Sequence, residues 1–285
     1  MPKSKNYKIG IDVGGTKMSA VLFDGNKIIY DYMLATPRDT LDAFMTMLKA
    51  LVEPLLEKAK DKKRKVDLIG MGVPSVLDAK GRVALNAPNL RIIENVDIAG
   101  KLEEMMGIEV VMDNDVNCFL RAEMMLGAGK GHTNVYGITI GTGIGGAWWL
   151  GENIYEGANG GGGEPGSMLI DFSENIGLED AYHKLTKNNP ASVAEEAFRG
   201  DVLAEKTFEE VGEFLGMAMA NIINLIDPEM IILGGGVSES DELFLSRAKK
   251  TMKDHIASRD ARKKIKVLKS KLGLRAGAIG AALIT

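Results

Sequence analysis

The stretch Val110-Val111-Met112-Asp113-Asn114-Asp115-Val116-Asn117 opens as an apolar run and ends in four polar side chains, and an amphipathic pattern follows it. It reads as a strand that delivers carboxylates to a helix running from about Val116 to Leu126. Such a junction suits chemistry, because a helix N-terminus offers free N–H groups and the positive end of its dipole while the strand end fixes side-chain directions. Asp113 and Asp115, two residues apart, point the same way if the strand persists that far. One of Asn114, Asp115 or Asn117 is enough to cap the helix, so capping accounts for one of these residues and not for all of them. The D-x-D-x-N spacing also begins a calcium loop, but that loop needs Gly at its sixth position and Glu at its twelfth, where Cys118 and Met124 stand.

Upstream, residues 8 to 30 read as a strand, a Gly-Gly turn, a second strand, an Asp24-Gly25 hairpin and a third strand. Leu41 to Lys60 carries apolar residues with a helical period and a Pro54 expected to kink it. Asp67 to Val73 is a near-continuous apolar run ending at Pro74, the pattern of a buried strand parallel to the first. A short strand and loop over residues 82 to 90 and a helix from about Ile98, stopped by Gly107, lead back to the opening stretch. Strands alternating with helices predict an α/β domain.

Downstream, residues 137 to 150 align without a gap on residues 10 to 23: Gly10, Ile11, Gly14 and Ala20 recur as Gly137, Ile138, Gly141 and Ala147. The order strand, Gly turn, strand, turn, strand is shared too, so the chain reads as two homologous α/β domains. The boundaries expected are 1–117 plus 272–285 for the first and 118–271 for the second. Helices are expected near Leu178 to Lys184, Ser192 to Phe198 and Ala204 to Leu225. A strand at Met230 to Leu233 then precedes Gly234-Gly235-Gly236 and a helix capped by Ser238 or Ser240. A strand near 265 to 269 and a helix from about Arg275 close the chain.

Two glycine turns carry chemical meaning. Asp12-Val13-Gly14-Gly15-Thr16-Lys17 puts a carboxylate at a strand end, then a turn open to close backbone approach, then a hydroxyl and an ammonium, a set suited to a phosphate and its magnesium. A hairpin turn needing positive φ accounts for the two glycines but not for Asp12 or Lys17. Gly141-Thr142-Gly143-Ile144-Gly145-Gly146 matches G-x-G-x-x-G, yet a dinucleotide fingerprint must open a helix, and here Ala147 to Leu150 continues as a strand. No G-x-x-x-x-G-K-[ST] sequence competes. Trp148 and Trp149, being adjacent on a strand, point to opposite faces and read as packing rather than a stacking platform.

Composition narrows the classes further. A chain of 285 residues, 45% hydrophobic with a net charge of -4, gives no electrostatic reason to expect nucleic acid or an anionic membrane, and Lys60 to Lys65 reads as a solvated loop. There is one cysteine, Cys118, so no internal disulfide forms, and neither a signal-peptide pattern nor a bilayer-length apolar run is seen; a cytoplasmic protein is expected.

These motifs resemble those of the bacterial ROK sugar kinases, ATP-dependent hexokinases of the actin-like, ribonuclease H-like fold, from about Lys8 to Ile284. The resemblance implies two duplicated α/β domains with a cleft between them that closes on the sugar, ATP and Mg²⁺ as cofactors, and a glucokinase-like activity. It implies that Asp12, Gly14, Gly15, Thr16 and Lys17 form a first phosphate loop with Asp12 near Mg²⁺, that Gly141, Thr142 and Gly143 form a second, and that Gly234, Gly235 and Gly236 bind adenosine. Asp115 becomes the general base, and Asn89, Asn114, Asp115, Glu164, Ser167 and Glu179 the sugar-contacting positions. Two departures stand out. Ser167 occupies the place of a family histidine, and the cysteine-rich zinc loop before Glu179 is missing, so no zinc site is expected and sugar preference should be altered more than phosphotransfer. The family's repressor branch carries an N-terminal helix-turn-helix domain, for which a phosphate loop starting at residue 12 leaves no room. A sugar and ATP are thus the partners expected, without nucleic acid or membrane, and a homodimer is compatible with this reading. The alternatives are a kinase for an amino sugar or fructose, polyphosphate as a second donor, and a non-catalytic sugar sensor, against which intact Asp12, Asp115 and both glycine turns argue.

Overall fold

The alternating segment at the start of the chain folds as three antiparallel strands, β1 (Tyr7–Val13), β2 (Lys17–Phe23) and β3 (Ile28–Ala35), in a computed structural model that describes residues 6–285. Residues 1–5, with which the expected first domain begins and where a signal peptide would lie, fall outside the described residues. The Asp24 carboxylate closes the β2–β3 turn by accepting from the N–H groups of Asn26 and Lys27. Thr40 caps α1 (Leu41–Asp61), whose buried stripe of Phe44, Leu48, Leu51, Val52 and Leu55 joins Ile9, Ile11 and Leu22 in one core. Pro54 lies inside that helix and does not end it.

β4 (Val66–Val73) pairs parallel with β1, the short hairpin β5 (Val76–Leu77) and β6 (Ala84–Asn86) follows, and Asp97 caps α2 (Ile98–Met106). Gly107, at φ 66°, ends α2 in the left-handed conformation that glycine adopts freely. β7 (Val110–Asn114) then pairs parallel with β4, giving the five-stranded order β3-β2-β1-β4-β7, and leads into α3 (Asp115–Leu126).

The second half repeats the plan. β8 (Asn134–Ile140), β9 (Ile144–Leu150) and β10 (Asn153–Ile154) form a meander, and a small pair, β11 (Leu169–Asp171) and β12 (Ile176–Gly177), precedes α4 (Leu178–Thr186), α5 (Pro190–Phe198) and α6 (Val202–Ile226). β13 (Met230–Gly234), α7 (Leu245–His255), α8 (Arg259–Lys264) and β14 (Lys266–Lys269) complete a sheet of order β10-β9-β8-β13-β14. Position by position this is the order of the first sheet, which bears out the duplication. The helix expected after Gly236 is a 3-10 stretch, Gly236–Leu243, and α7 starts at Leu245 without a side-chain cap. Ser238 caps nothing there, because its hydroxyl donates back to the Gly235 carbonyl at 2.7 Å. Trp148 donates from its ring N–H to Asn134 Oδ1 and Trp149 to the Gly151 carbonyl, so both act within the strand framework. Among the described residues no helix is long and apolar enough to cross a membrane.

Two compact units result: residues 1–127, 156–161 and 275–285, and residues 128–155 and 162–274. The first runs on to Gly127 where the sequence expectation stopped at 117, since α3 packs on the last helix, α9 (Ala276–Ala282). That contact depends on missing side chains. A Cβ on Gly70 would come within 1.8 Å of the Ala281 carbonyl oxygen, and one on Gly280 within 1.7 Å of that of Cys118. Gly70→Ala should therefore lower stability by about 1–3 kcal/mol through overpacking. The readout is the urea midpoint at unchanged slope, and an unmoved midpoint would mean that α9 is not seated as described.

A carboxylate ties two strands of the second unit together at their starts. Glu229 accepts from the N–H groups of Thr133 at 2.8 Å and Asn134 at 3.0 Å and pairs with His132 Nδ1 at 2.7 Å. The backbone bond from Thr133 and the bond to His132 hold its carboxyl down to about 2 from an ordinary 4.5. A lowered folded-state pKa contributes stability above the unfolded value and loses it as pH falls through the folded one. The stability gap between wild type and Glu229→Gln should thus be full above about pH 5, shrink below 4.5 and vanish near 2. Acid titrations of both proteins followed by circular dichroism measure it; a gap constant from pH 6 to 2 would contradict the assignment.

Candidate functional site

At the β7–α3 junction the side chains divide their labour. Asn114 is the N-cap: its Oδ1 accepts from the N–H groups of Val116 at 2.8 Å and Asn117 at 3.2 Å, and its amide donates to the Ser75 carbonyl at 3.4 Å. Asp113 and Asp115 do not act as a matched pair, because the strand ends at Asn114. Asp113 is engaged by Arg121, by the Asn117 amide at 2.8 Å and by the Asn114 N–H at 2.7 Å. Asp115 opens α3 in its first turn, at the positive end of the helix dipole, and accepts from the Val116 N–H at 3.0 Å.

Two strands away in the same sheet stands Asp12, near the end of β1. Burial first, and the charge of Asp115 second, push its carboxyl up to about 7. Part of Asp12 still meets solvent. Gly277 leaves room for it, since a Cβ there would fall 2.5 Å from Asp12 Oδ2. In the turn that follows, the Gly14 N–H bonds the Lys17 carbonyl at 3.0 Å, and Thr36 fastens the turn from outside by donating its hydroxyl to the Gly14 carbonyl at 2.7 Å and its N–H to the Thr16 carbonyl at 2.9 Å. Thr16 and Lys17 are left exposed. Asn89 packs beside Gly15, with no hydrogen-bond partner among the described residues.

In the second unit the turn Gly141–Ile144 lies between β8 and β9 and opens no helix, which excludes a dinucleotide fingerprint. Glu179, in the first turn of α4, accepts from the Ile144 N–H at 3.1 Å, and its side chain also lies against Gly166. Burial, then the charge of Glu179, push the neighbouring Glu164 carboxyl upward, although much of that side chain remains exposed. Gly163, at φ 93°, presents its carbonyl to the Tyr136 hydroxyl at 2.8 Å and so sets the entry to Glu164. Ser167 is exposed in the 3-10 turn Pro165–Ser167. Gly234, Gly235 and Gly236 follow the end of β13, with Gly235 at φ 84° packed against the Ile140 backbone.

The first unit thus gathers Asp12, Gly14 to Lys17, Asn89, Asn114 and Asp115, and the second gathers Gly141 to Gly143, Glu164, Ser167 and Glu179, with Gly234 to Gly236 at the end of β13. Arg121, Thr36, Gly277, Tyr182 and His183 escape a reading of the sequence. Each acts through a partner distant in the chain or, for Arg121, on another element, and no local pattern marks it.

One strand order occurring twice, each copy with a glycine turn between its first two strands, defines the actin-like, ribonuclease H-like α/β fold. The chain belongs to the ROK family, whose model matches residues 8–285. It is 29% identical to the N-acetylgalactosamine kinase AgaK of Shewanella sp. strain ANA-3, over 96% of this chain and 95% of that protein. It is 27% identical to a glucokinase of Thermotoga maritima, over 90% and 89% of the two chains. The crystal structure of a ROK family glucokinase from Streptomyces griseus, in complex with glucose and AMPPNP, superposes with a TM-score of 0.81 at 28% identity, covering 97% of this chain and 98% of that one. With one cysteine in all, the chain has no zinc-binding cysteine cluster.

Proposed function

We propose that the protein transfers the γ-phosphoryl group of ATP to a hydroxyl of glucose or a related hexose, with Asp115 as the general base. It is an ATP-dependent sugar kinase of the ROK family, acting on a hexose or an amino sugar. The observation that carries the base assignment is the position of Asp115: first turn of a helix, at the end of a strand in the sheet that holds Asp12, close enough for its charge to raise the Asp12 carboxyl. The positive end of a helix dipole stabilises a carboxylate, and a carboxylate there can take a proton from an attacking hydroxyl.

The residues present fit magnesium brought in with the nucleotide. Asp12 and Asp115 are hard oxygen donors of like charge, close enough for one to raise the carboxyl of the other, and a divalent cation between such groups would offset that repulsion. Among the described residues no group of three or more His, Cys, Asp or Glu could hold a metal alone, which agrees with an ion that takes one or two carboxylates and completes its shell on phosphates. Mg²⁺ supplies neutralisation of phosphate charge when bound.

The chain's own groups do the rest. Gly14 and Gly15, in a turn fastened by Thr36, allow close backbone approach, and Lys17 adds positive charge. Gly141 to Gly143 bind phosphate, and Gly234 to Gly236 adenosine. Asn89, Asn114, Glu164, Ser167 and Glu179 hydrogen-bond the sugar, each pairing with one hydroxyl or acyl group so that a wrong epimer leaves one of them unpaired. ADP release over a panel of glucose, mannose, fructose, allose, N-acetylmannosamine and N-acetylgalactosamine tests this reading. Turnover confined to one or two of them supports it; none with any sugar, at saturating ATP and magnesium, sinks it.

A further inference from the structure

Helix α4 grips the glycine turn between β8 and β9 at three positions, Gly141, Thr142 and Ile144. Glu179 Oε1 accepts from the Ile144 N–H at 3.1 Å, the Tyr182 hydroxyl donates to the Gly141 carbonyl at 2.8 Å, and His183 Nε2 lies 2.9 Å from the Thr142 carbonyl. Positions 179, 182 and 183 are i, i+3 and i+4, which fall on one face of a helix. A carbonyl only accepts, so the imidazole carries a proton on Nε2 and donates it. Tyr182 is buried, and burial, then the charge of Glu179, push its hydroxyl well above the usual range, which keeps it a donor.

The turn does not need this brace to close, since the Gly141 N–H already bonds the Gly143 carbonyl at 2.9 Å. What the brace fixes is direction. Among the described residues every peptide bond is trans. In a planar trans peptide the N–H points opposite to the preceding carbonyl. With the Gly141 and Thr142 carbonyls held against α4, the N–H groups of Thr142 and Gly143 are aimed away from it, and neither has an acceptor among the described residues. Two consecutive N–H groups left without a protein acceptor in a turn can serve as a nest for an anion. Thr142 is exposed, which leaves the nest open to solvent.

We propose that Tyr182 and His183 are positioning residues for the phosphoryl donor, holding two carbonyls of the turn so that the Thr142 and Gly143 N–H groups meet a phosphate oxygen. The proposal rests on the kinase reading above. A brace of this kind acts on the donor and not on the sugar. Tyr182→Phe removes one oxygen and keeps the buried ring, and His183→Ala removes the other donor. Each should raise the KM for ATP, and the Kd of a non-hydrolysable ATP analogue measured by calorimetry, about three- to tenfold, as for one lost hydrogen bond. The KM for sugar should stay within about twofold, and His183→Gln, whose amide can reach the Thr142 carbonyl, should recover most of the loss. Donor KM and analogue Kd unchanged in both variants, equal rises in donor and sugar KM, or no recovery with Gln would each overturn it. Wild type that binds the analogue but phosphorylates no sugar fails the kinase reading while the brace is still judged by analogue Kd. Wild type that binds no analogue overturns both.

Discussion

Asp115→Asn is expected to lower kcat by about 10²- to 10⁴-fold, the usual contribution of a positioned general base, while sugar and ATP still bind within a few-fold of wild type. The amide keeps the shape of the carboxylate and can still accept from the Val116 N–H, so α3 should start where it does now. It cannot accept a proton from the sugar hydroxyl. ADP release at saturating substrates gives kcat, and calorimetry gives both affinities. A variant with near wild-type kcat removes Asp115 from the role of base, and one that loses binding as much as turnover makes it a ligand instead. Asp115 stands at the positive end of a helix dipole, while burial and the charge of Asp115 push the Asp12 carboxyl upward.

The fold was legible where one physical rule acts over short range. The glycines at 14, 15 and 141 to 146, set between period-two apolar runs, made both meanders visible, and the gapless match of residues 137–150 to 10–23 exposed the duplication now seen as two sheets of identical strand order. The helix N-terminus at Asn114 was legible too, since a polar cluster after an apolar strand has few other uses. Local pattern failed after Gly236, where Ser238 looked like a cap. Its hydroxyl instead donates to the Gly235 carbonyl three residues back, and a 3-10 stretch intervenes. The extent of the first unit rests on a contact of a similarly hidden kind, since α3 goes with α9, which lies more than 150 residues on, through glycines whose only signal is a side chain they lack. At the site, residue types and spacings singled out Asp12 to Lys17, the cluster around Asp115 and the second glycine turn, and the family resemblance added Asn89, Glu164, Ser167, Glu179 and Gly234 to Gly236, but the supports did not announce themselves: Tyr182 and His183 reach backbone carbonyls 41 positions away, a contact that leaves no mark in composition or period.

Arg121 is the support with the largest expected effect on stability. It reaches from the second turn of α3 back to Asp113 on β7, tying the helix to the strand that precedes Asp115, and the two side chains are only 16% and 14% exposed. A partner removed from such a pair leaves a largely desolvated charge behind, which costs more than the pair itself contributes. Arg121→Met should therefore destabilise the protein by about 2–3 kcal/mol, below the 3–5 of a fully buried pair because some solvent contact remains. Asp113→Asn combined with Arg121→Met should recover at least half of that. The asparagine oxygen can still accept from the Asn117 amide and the Asn114 N–H, and no charge is stranded. Since the Asn117 side chain and the Asn114 backbone both bond Asp113, the single variant should also loosen the start of α3 and lower kcat, by as much as about 10²-fold if Asp115 moves by an ångström. Urea unfolding of the two single variants and the double gives the coupling energy, and kcat for the same proteins shows whether activity follows it. Additive effects on stability, or a double variant less stable than Arg121→Met alone, would mean that the ion pair does not hold the junction together.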